Sequence, residues 1–85
     1  MKGQKPVKMF TLSTCSHCKA AKQFMRDNDI DITFTDVDLL KGSEQSAVVE
    51  ELKKYNPGFS FPTILIGDET VIGFQEDKIR KALGL

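Results

Sequence analysis

The sequence predicts a single α/β domain over residues 1–85, in which three helices pack on a mixed sheet of four strands. Three observations lead to this prediction. Strand-like and helix-like patterns alternate along the chain, Asn56-Pro57-Gly58 ends the second helical pattern, and Gly67-Asp68-Glu69 joins two short β-rich runs in the manner of a hairpin. The first two strands, which a helix connects, are expected to be parallel, and the last two, which a short turn connects, antiparallel, so the order β-α-β-α-β-β-α gives a mixed sheet.

The first half of the chain contains two strand–helix units. Residues 7–12 form the first predicted strand, and residues 15–28 the first helix, whose apolar face carries Cys18, Ala21, Phe24 and Met25. Residues 32–37 alternate in the manner of a second strand. After the break at Lys41-Gly42-Ser43, Ser43 is a candidate N-cap, and the second helix runs to about Tyr55 with its buried face formed by Val48, Leu52 and Tyr55.

The second half begins with the most β-like segment, residues 62–66, which the hairpin turn connects to Val71-Ile72. Gly73 begins the next turn. The last helix starts at Gln75-Glu76-Asp77 and is expected to bury Ile79 and Leu83.

Composition excludes several classes of protein. Lysine plus arginine balance aspartate plus glutamate at 12 each, without a long run of like charge, which argues against a nucleic-acid or membrane-surface partner. Residues 1–6 are basic, but no apolar segment of the secretory type follows them, and no stretch approaches the roughly 18 apolar residues that span a bilayer. We therefore expect a cytoplasmic protein.

The most informative motif is Cys15-Ser16-His17-Cys18, which contains the two cysteines of the chain. It lies between the first predicted strand and the first helix, where unsatisfied backbone N–H groups favour thiolate over thiol. Two cysteines one helical turn apart can form a disulfide, share a metal ion, or be unreactive buried thiols. We favour the redox interpretation, because so short a loop would add little stability as a structural disulfide in the cytoplasm.

The element order, the C-x-x-C motif and Phe61-Pro62-Thr63 before the third strand together resemble the thioredoxin superfamily, and within it the glutaredoxins. The resemblance covers nearly the whole chain. It implies a thioredoxin-like fold of the glutaredoxin type and the activity of a dithiol–disulfide oxidoreductase. Cys15 would be the exposed nucleophile and Cys18 the more buried resolving thiol.

The same resemblance implies that the peptide bond before Pro62 is cis and faces the cysteine pair, and that Phe61 presents its backbone N–H and C=O to a substrate polypeptide. Thr63 and Gly73 are expected to shape the groove. Glu76 would either interact with the helix dipole alone or contact the amino group of a bound glutathione. The predicted substrate-binding residues are His17, Phe61, Pro62, Thr63, Gly73, Phe74 and Glu76.

Aromatic side chains are also expected near Cys15. Phe59, Phe61 and Phe74 would form an apolar rim for a docking partner, with Phe59 the most exposed of the three. A place in the core is the alternative for Phe74.

Departures from the family pattern bear on the electron donor. Ser16 and His17 replace the usual Pro and Tyr of C-P-Y-C, and Leu12 stands where glutaredoxins usually have lysine or arginine. The Gly-Gly-x-Asp glutathione site is present as Gly73-Phe74-Gln75-Glu76, which is similar to the small redoxins that serve ribonucleotide reductase and accept electrons from thioredoxin reductase. The resemblance thus implies disulfide-bearing proteins as substrates, glutathione or a thioredoxin-reductase-type enzyme as reductant, a monomer, and no tightly bound cofactor.

Two other functions remain open. A glutaredoxin-like dimer would hold an iron–sulfur cluster with Cys15 of each chain and glutathione as ligands, because one chain offers at most Cys15, Cys18 and His17 to a metal that needs four ligands. We expect no metal site within a single chain. A non-catalytic interaction domain of the same fold is the third possibility, and Cys15→Ser would leave its function intact.

His17 lies between the two cysteines and is either an unused exposed residue or a modulator of the redox pair. Lys19 and Lys22 are likewise either contributors of positive potential or merely solvated side chains. When protonated, His17 would stabilise the Cys15 thiolate and hence the reduced protein. We expect His17→Ala and His17→Tyr to make the reduction potential of the pair more negative, as measured by equilibration with a glutathione redox buffer. An unchanged potential would show that His17 has no such role.

Overall fold

The computed structural model describes residues 5–85 and confirms the predicted order of elements. The basic segment at residues 1–6 lies mostly outside the described residues. A short 3₁₀ turn at Val37–Leu39 follows the second strand. The strands are β1 (Val7–Thr11), β2 (Thr33–Asp36), β3 (Thr63–Ile66) and β4 (Glu69–Ile72), and the helices are α1 (Ser16–Asp27), α2 (Gly42–Tyr55) and α3 (Glu76–Leu83).

The four strands form one mixed sheet in the order β2-β1-β3-β4. β1 and β2, which α1 connects, are parallel, and β3 and β4 are antiparallel, as the sequence predicted. The antiparallel pairing of β3 with β1, which the sequence did not predict, joins the two halves of the sheet. The two-residue turn between β3 and β4 contains Gly67 at φ +57°, a left-handed conformation that glycine adopts without steric cost. The central strands β1 and β3 are therefore paired on both sides.

The sheet separates two cores because successive side chains of a strand point to opposite faces. On one face, α1 and α3 cover β1, β3 and β4, and the fully buried side chains there include Met9, Met25, Ile64 and Ile79. On the other face, α2 packs through Leu52 on Phe10 and Val37. Among residues 5–85, no helix is both long and apolar enough to cross a bilayer.

Two details of α2 differ from the prediction. Ser43 is not the N-cap: the helix already begins at Gly42, and Lys41 precedes it without a side-chain hydrogen bond. Tyr55 is 42% exposed rather than buried. It is the last residue of α2 and is not among the side chains that pack in the core on this face of the sheet.

Smaller differences concern β2 and α3. β2 ends at Asp36, and Val37 instead begins the 3₁₀ turn. Ile79 is buried in α3 as predicted, but Leu83 is only partly buried and packs at the margin of the core, next to the buried Ala82.

Candidate functional site

Strand register brings the cysteine motif and the Phe61-Pro62 segment to one edge of the sheet. Phe10 is paired with Thr63 in the antiparallel β1–β3 ladder, so the residues that follow Phe10 run beside those that precede Thr63. Thr63 is in turn paired with Ile72, which places Gly73 at the same edge. The chain reaches Cys15 from this end of β1, through a turn at residues 12–14.

Cys15 is the N-cap residue of α1. Its backbone is extended, and its sulfur accepts a hydrogen bond from the N–H of Cys18 at 3.4 Å, in place of the hydroxyl or carboxylate oxygen that usually caps a helix. The Cys15 N–H donates to the Leu12 carbonyl at 3.2 Å, which closes the preceding turn. The sulfur is thus held over the positive end of the helix.

At the Cys15 sulfur, hydrogen bonds lower the pKa by more than burial raises it. Burial raises the pKa of this half-buried thiol, but the Cys18 thiol and the backbone N–H groups of Cys18 and His17 lower it by more. The pKa of Cys15 therefore lies below that of an ordinary cysteine. A lower pKa increases the fraction of thiolate, which is the nucleophilic form, near neutral pH.

Cys18 has the opposite environment. It is fully buried, and burial raises the pKa of its thiol to about 11, with a further contribution from the negative charge of Cys15. The Leu12 N–H donates to its sulfur at 3.4 Å and opposes this rise. Both cysteines are free thiols, so the site contains one accessible sulfur and one protected sulfur.

A hydrogen-bonded carboxylate holds the turn before Cys15. Asp38, in the 3₁₀ turn after β2, accepts hydrogen bonds from the N–H and the hydroxyl of Ser13 at 2.9 and 2.6 Å. These donors keep the pKa of Asp38 below its usual range. The carboxylate is therefore ionised at neutral pH and fastens the turn to the end of β2.

Lys22 lies one turn after Cys18 on α1, and its side chain is only 17% exposed. Its ammonium is 3.1 Å from Asp36, which also accepts a hydrogen bond from the Thr11 hydroxyl at 2.5 Å. The sequence left Lys22 as either a source of positive potential or a merely solvated side chain. Its low exposure argues against the solvated side chain. Its positive charge opposes, to a small extent, the rise in the pKa of Cys18.

The peptide bond between Phe61 and Pro62 is cis, as the resemblance implied. Pro62 is fully buried, and its carbonyl accepts a hydrogen bond from the Gly73 N–H at 2.7 Å. Gly73 has φ +83°, in the left-handed region that favours glycine. Phe61 is partly buried and packs against the α2 core.

The remaining predicted residues are distributed around this edge. His17 and Lys19 are exposed on the first turn of α1. Thr63 is fully buried, with its hydroxyl directed into the protein. Glu76 is exposed at the start of α3, and its carboxylate forms an ion pair with Arg80 at 3.0 Å.

The three phenylalanines near the motif differ in exposure. Phe59 is 38% exposed, more than the other two, as predicted. Phe74 packs at the margin of the α1–α3 core, with its ring centre 5.9 Å from that of Phe24, which favours the core interpretation.

Sequence reasoning did not identify Asp36, Asp38 or Asn56 as parts of this edge. Asp38 and Asn56 bind loop backbone groups, and Asp36 binds Thr11 and Lys22. Asn56 was interpreted only as a helix terminator, although it is 4% exposed. Within the described residues, no group of three or more His, Cys, Asp or Glu side chains is arranged to hold a metal ion.

Several known proteins are similar to this chain over most of its length. The glutaredoxin family model matches residues 7–71. The methanoredoxin of Methanosarcina acetivorans is 36% identical and superposes with a TM-score of 0.91 over 96% of this chain and 87% of that one. A glutaredoxin of Methanosarcina mazei is 40% identical, with a TM-score of 0.87 over 95% of this chain and 80% of that one.

More distant relatives are also similar. The glutaredoxin-like protein NrdH-redoxin of Escherichia coli is 26% identical and has a TM-score of 0.73 over 89% of this chain and 92% of that one. A glutaredoxin-like 8.6 kDa protein from the rubredoxin operon of Clostridium pasteurianum is 26% identical over 77 residues, which are 91% of this chain and 96% of that protein.

Proposed function

The chain belongs to the glutaredoxin family, and from that premise we propose that it is a dithiol–disulfide oxidoreductase that reduces protein disulfides through Cys15 and Cys18. The observation that carries the proposal is the contrast between the two sulfurs. Cys15 is accessible and has a lowered pKa, whereas Cys18 is buried with a pKa of about 11. Such a pair supplies a nucleophile and a protected resolving thiol.

In the first step, the Cys15 thiolate attacks one sulfur of the substrate disulfide. A mixed disulfide forms between Cys15 and the substrate, and the other substrate sulfur leaves as a thiolate that takes a proton from solvent. The negative charge on Cys15 disappears in this step. Since that charge and its hydrogen bond raise the pKa of Cys18, their loss favours ionisation of Cys18 at the moment it is needed.

In the second step, Cys18 loses its proton and attacks the sulfur of Cys15. The substrate sulfur that was bonded to Cys15 leaves as a thiolate, and a Cys15–Cys18 disulfide remains. Two electrons have then moved from the protein to the substrate, and a reductant must return them. The charge of Lys22 and the N–H of Leu12 both favour the Cys18 thiolate in this step.

For the reductant we propose a thioredoxin-reductase-type enzyme in preference to glutathione. Leu12 offers no positive charge where glutaredoxins usually carry lysine or arginine, and the Glu76 carboxylate is already paired with Arg80. The related NrdH-redoxin of Escherichia coli has a described thioredoxin-like activity profile, which supports the same choice.

Serine substitutions test the assignment of the two cysteines. Cys18→Ser should accumulate a mixed disulfide with a protein substrate such as insulin, because the thiol that resolves it is absent. Cys15→Ser, the matched change one turn away, should form no adduct and reduce no disulfide. Mass spectrometry of the trapped species checks both. Adduct formation by Cys15→Ser, or unchanged turnover by either variant, would contradict the mechanism.

Turnover with two electron-supply systems tests the reductant. We expect reduction of insulin to be faster by about tenfold or more with NADPH and thioredoxin reductase than with glutathione and glutathione reductase, since a charge-assisted contact to glutathione is missing. Leu12→Lys should raise the rate with glutathione. Equal or faster turnover of the unmodified protein with glutathione would refute the proposed reductant and leave the dithiol mechanism intact.

A further inference from the structure

Asn56 is a buried residue whose side-chain amide binds groups on both sides of Pro62. The residue follows α2 and is 4% exposed. Its side-chain oxygen accepts a hydrogen bond from the Gly58 N–H at 3.1 Å. Its side-chain nitrogen donates to the Ser60 carbonyl at 3.2 Å and to the Thr63 hydroxyl oxygen at 3.1 Å. One amide therefore connects both ends of the loop at residues 57–62.

The Ser60 carbonyl accepts hydrogen bonds from two side chains. It accepts a second hydrogen bond, from the Thr63 hydroxyl at 2.8 Å, in addition to that from Asn56. The Ser60 carbonyl and the Phe61 N–H belong to the same planar peptide unit, which is trans, so the two groups point in opposite directions. Donors that turn the carbonyl inward therefore turn the Phe61 N–H outward.

The Phe61 N–H has no hydrogen-bond acceptor among residues 5–85. Buried backbone donors without a partner are rare in folded proteins, so an unpaired N–H is expected where water or a bound molecule can reach it. Phe61 is only partly buried and lies at the edge of the sheet that also carries Cys15. Its N–H is thus a fixed donor at the site.

The conformation of Phe59 shows that the loop is held against its local preference. Phe59 has φ +56°, in the left-handed region that bulky side chains rarely adopt. Its N–H donates to the Asn56 carbonyl at 3.0 Å, next to the contact between Gly58 and the Asn56 side chain. Such conformations persist where the surroundings determine them, and here Asn56 supplies the contacts.

We propose that Asn56 is a positioning residue for substrate: together with the Thr63 hydroxyl it fixes the Ser60 carbonyl and so directs the Phe61 N–H at a main-chain carbonyl of the disulfide-bearing polypeptide. This inference rests on the proposed function and adds to it a residue that positions the protein substrate. Polypeptide disulfides present a main-chain acceptor beside the reacting sulfur, whereas small disulfides without a peptide group do not. Asn56 therefore contributes to the preference for polypeptides and not to the reactivity of Cys15.

The contacts require a primary amide of this length. Aspartate has the same shape as asparagine but lacks the two N–H donors, and its charge would repel the Ser60 carbonyl. Thr63→Val removes the hydroxyl with little change of shape and adds no charge. The two substitutions thus disturb the same carbonyl by different means.

The test compares two disulfides that both release coloured thionitrobenzoate. One is a short peptide whose cysteine carries thionitrobenzoate, and the other is dithiobis(nitrobenzoate), which has no peptide group. Stopped-flow absorbance gives the rate constant of the fully reduced protein with each. We expect Asn56→Asp and Thr63→Val to lower the ratio of peptide to small-disulfide rate constants by about tenfold, the cost of one misdirected hydrogen bond.

Asn28→Asp is the matched control. The Asn28 side chain donates to the Phe24 carbonyl at 2.9 Å at the far end of α1, so this variant undergoes the same amide-to-acid change away from the site. Its ratio should equal that of the unmodified protein. If Asn56→Asp does not fold, Thr63→Val decides. An unchanged ratio in folded variants overturns the role of Asn56, whereas an unmodified protein that reacts with both disulfides no faster than a free thiol refutes the proposed function itself.

Discussion

The hydrogen bonds that converge on the Cys15 sulfur are the interaction on which the rest of the site depends. Backbone N–H groups of Cys18 and His17 and the thiol of Cys18 stabilise the thiolate by more than burial opposes it. The same geometry that lowers the pKa of Cys15 helps to raise that of Cys18, because the two sulfurs share a hydrogen bond and a charge. The order of the two proposed chemical steps follows from this asymmetry, since the second sulfur is relieved of its neighbour's charge only when the first has reacted.

The central strands bring a second segment of backbone beside the loop that leads to that sulfur. The β1–β3 register puts the turn that leads to Cys15 next to the Phe61-Pro62 segment, and Asp38 and Asn56 each hold one of these loops through hydrogen bonds to its backbone. Both are polar side chains that bind loop backbone groups. The sheet thus sets where the loops meet, and the side-chain hydrogen bonds set the orientation of their backbone donors.

Local patterns were enough to predict the elements, their order, the buried face of α1 and the position of Cys15 just before α1, because each depends on residues close together in sequence. The cis peptide bond before Pro62 was inferred from a family resemblance rather than from local pattern. The predictions that Ser43 caps α2 and that Tyr55 is buried were wrong, because local sequence fixes neither the first residue of this helix nor the packing of its last one. Asp38 and Asn56 escaped notice for the same reason: Ser13 and Asp38 are far apart in sequence, and nothing local distinguishes a buried asparagine from a helix terminator.

Ultraviolet titration of thiolate absorbance in the fully reduced protein tests the central claim most directly. The account predicts two separate steps: one below the pKa of an ordinary cysteine, which disappears in Cys15→Ser, and a second near a pKa of about 11 from Cys18. Two thiols that titrate together at the ordinary value would contradict it, because the sulfur of Cys15 would then gain nothing from its position at the start of α1.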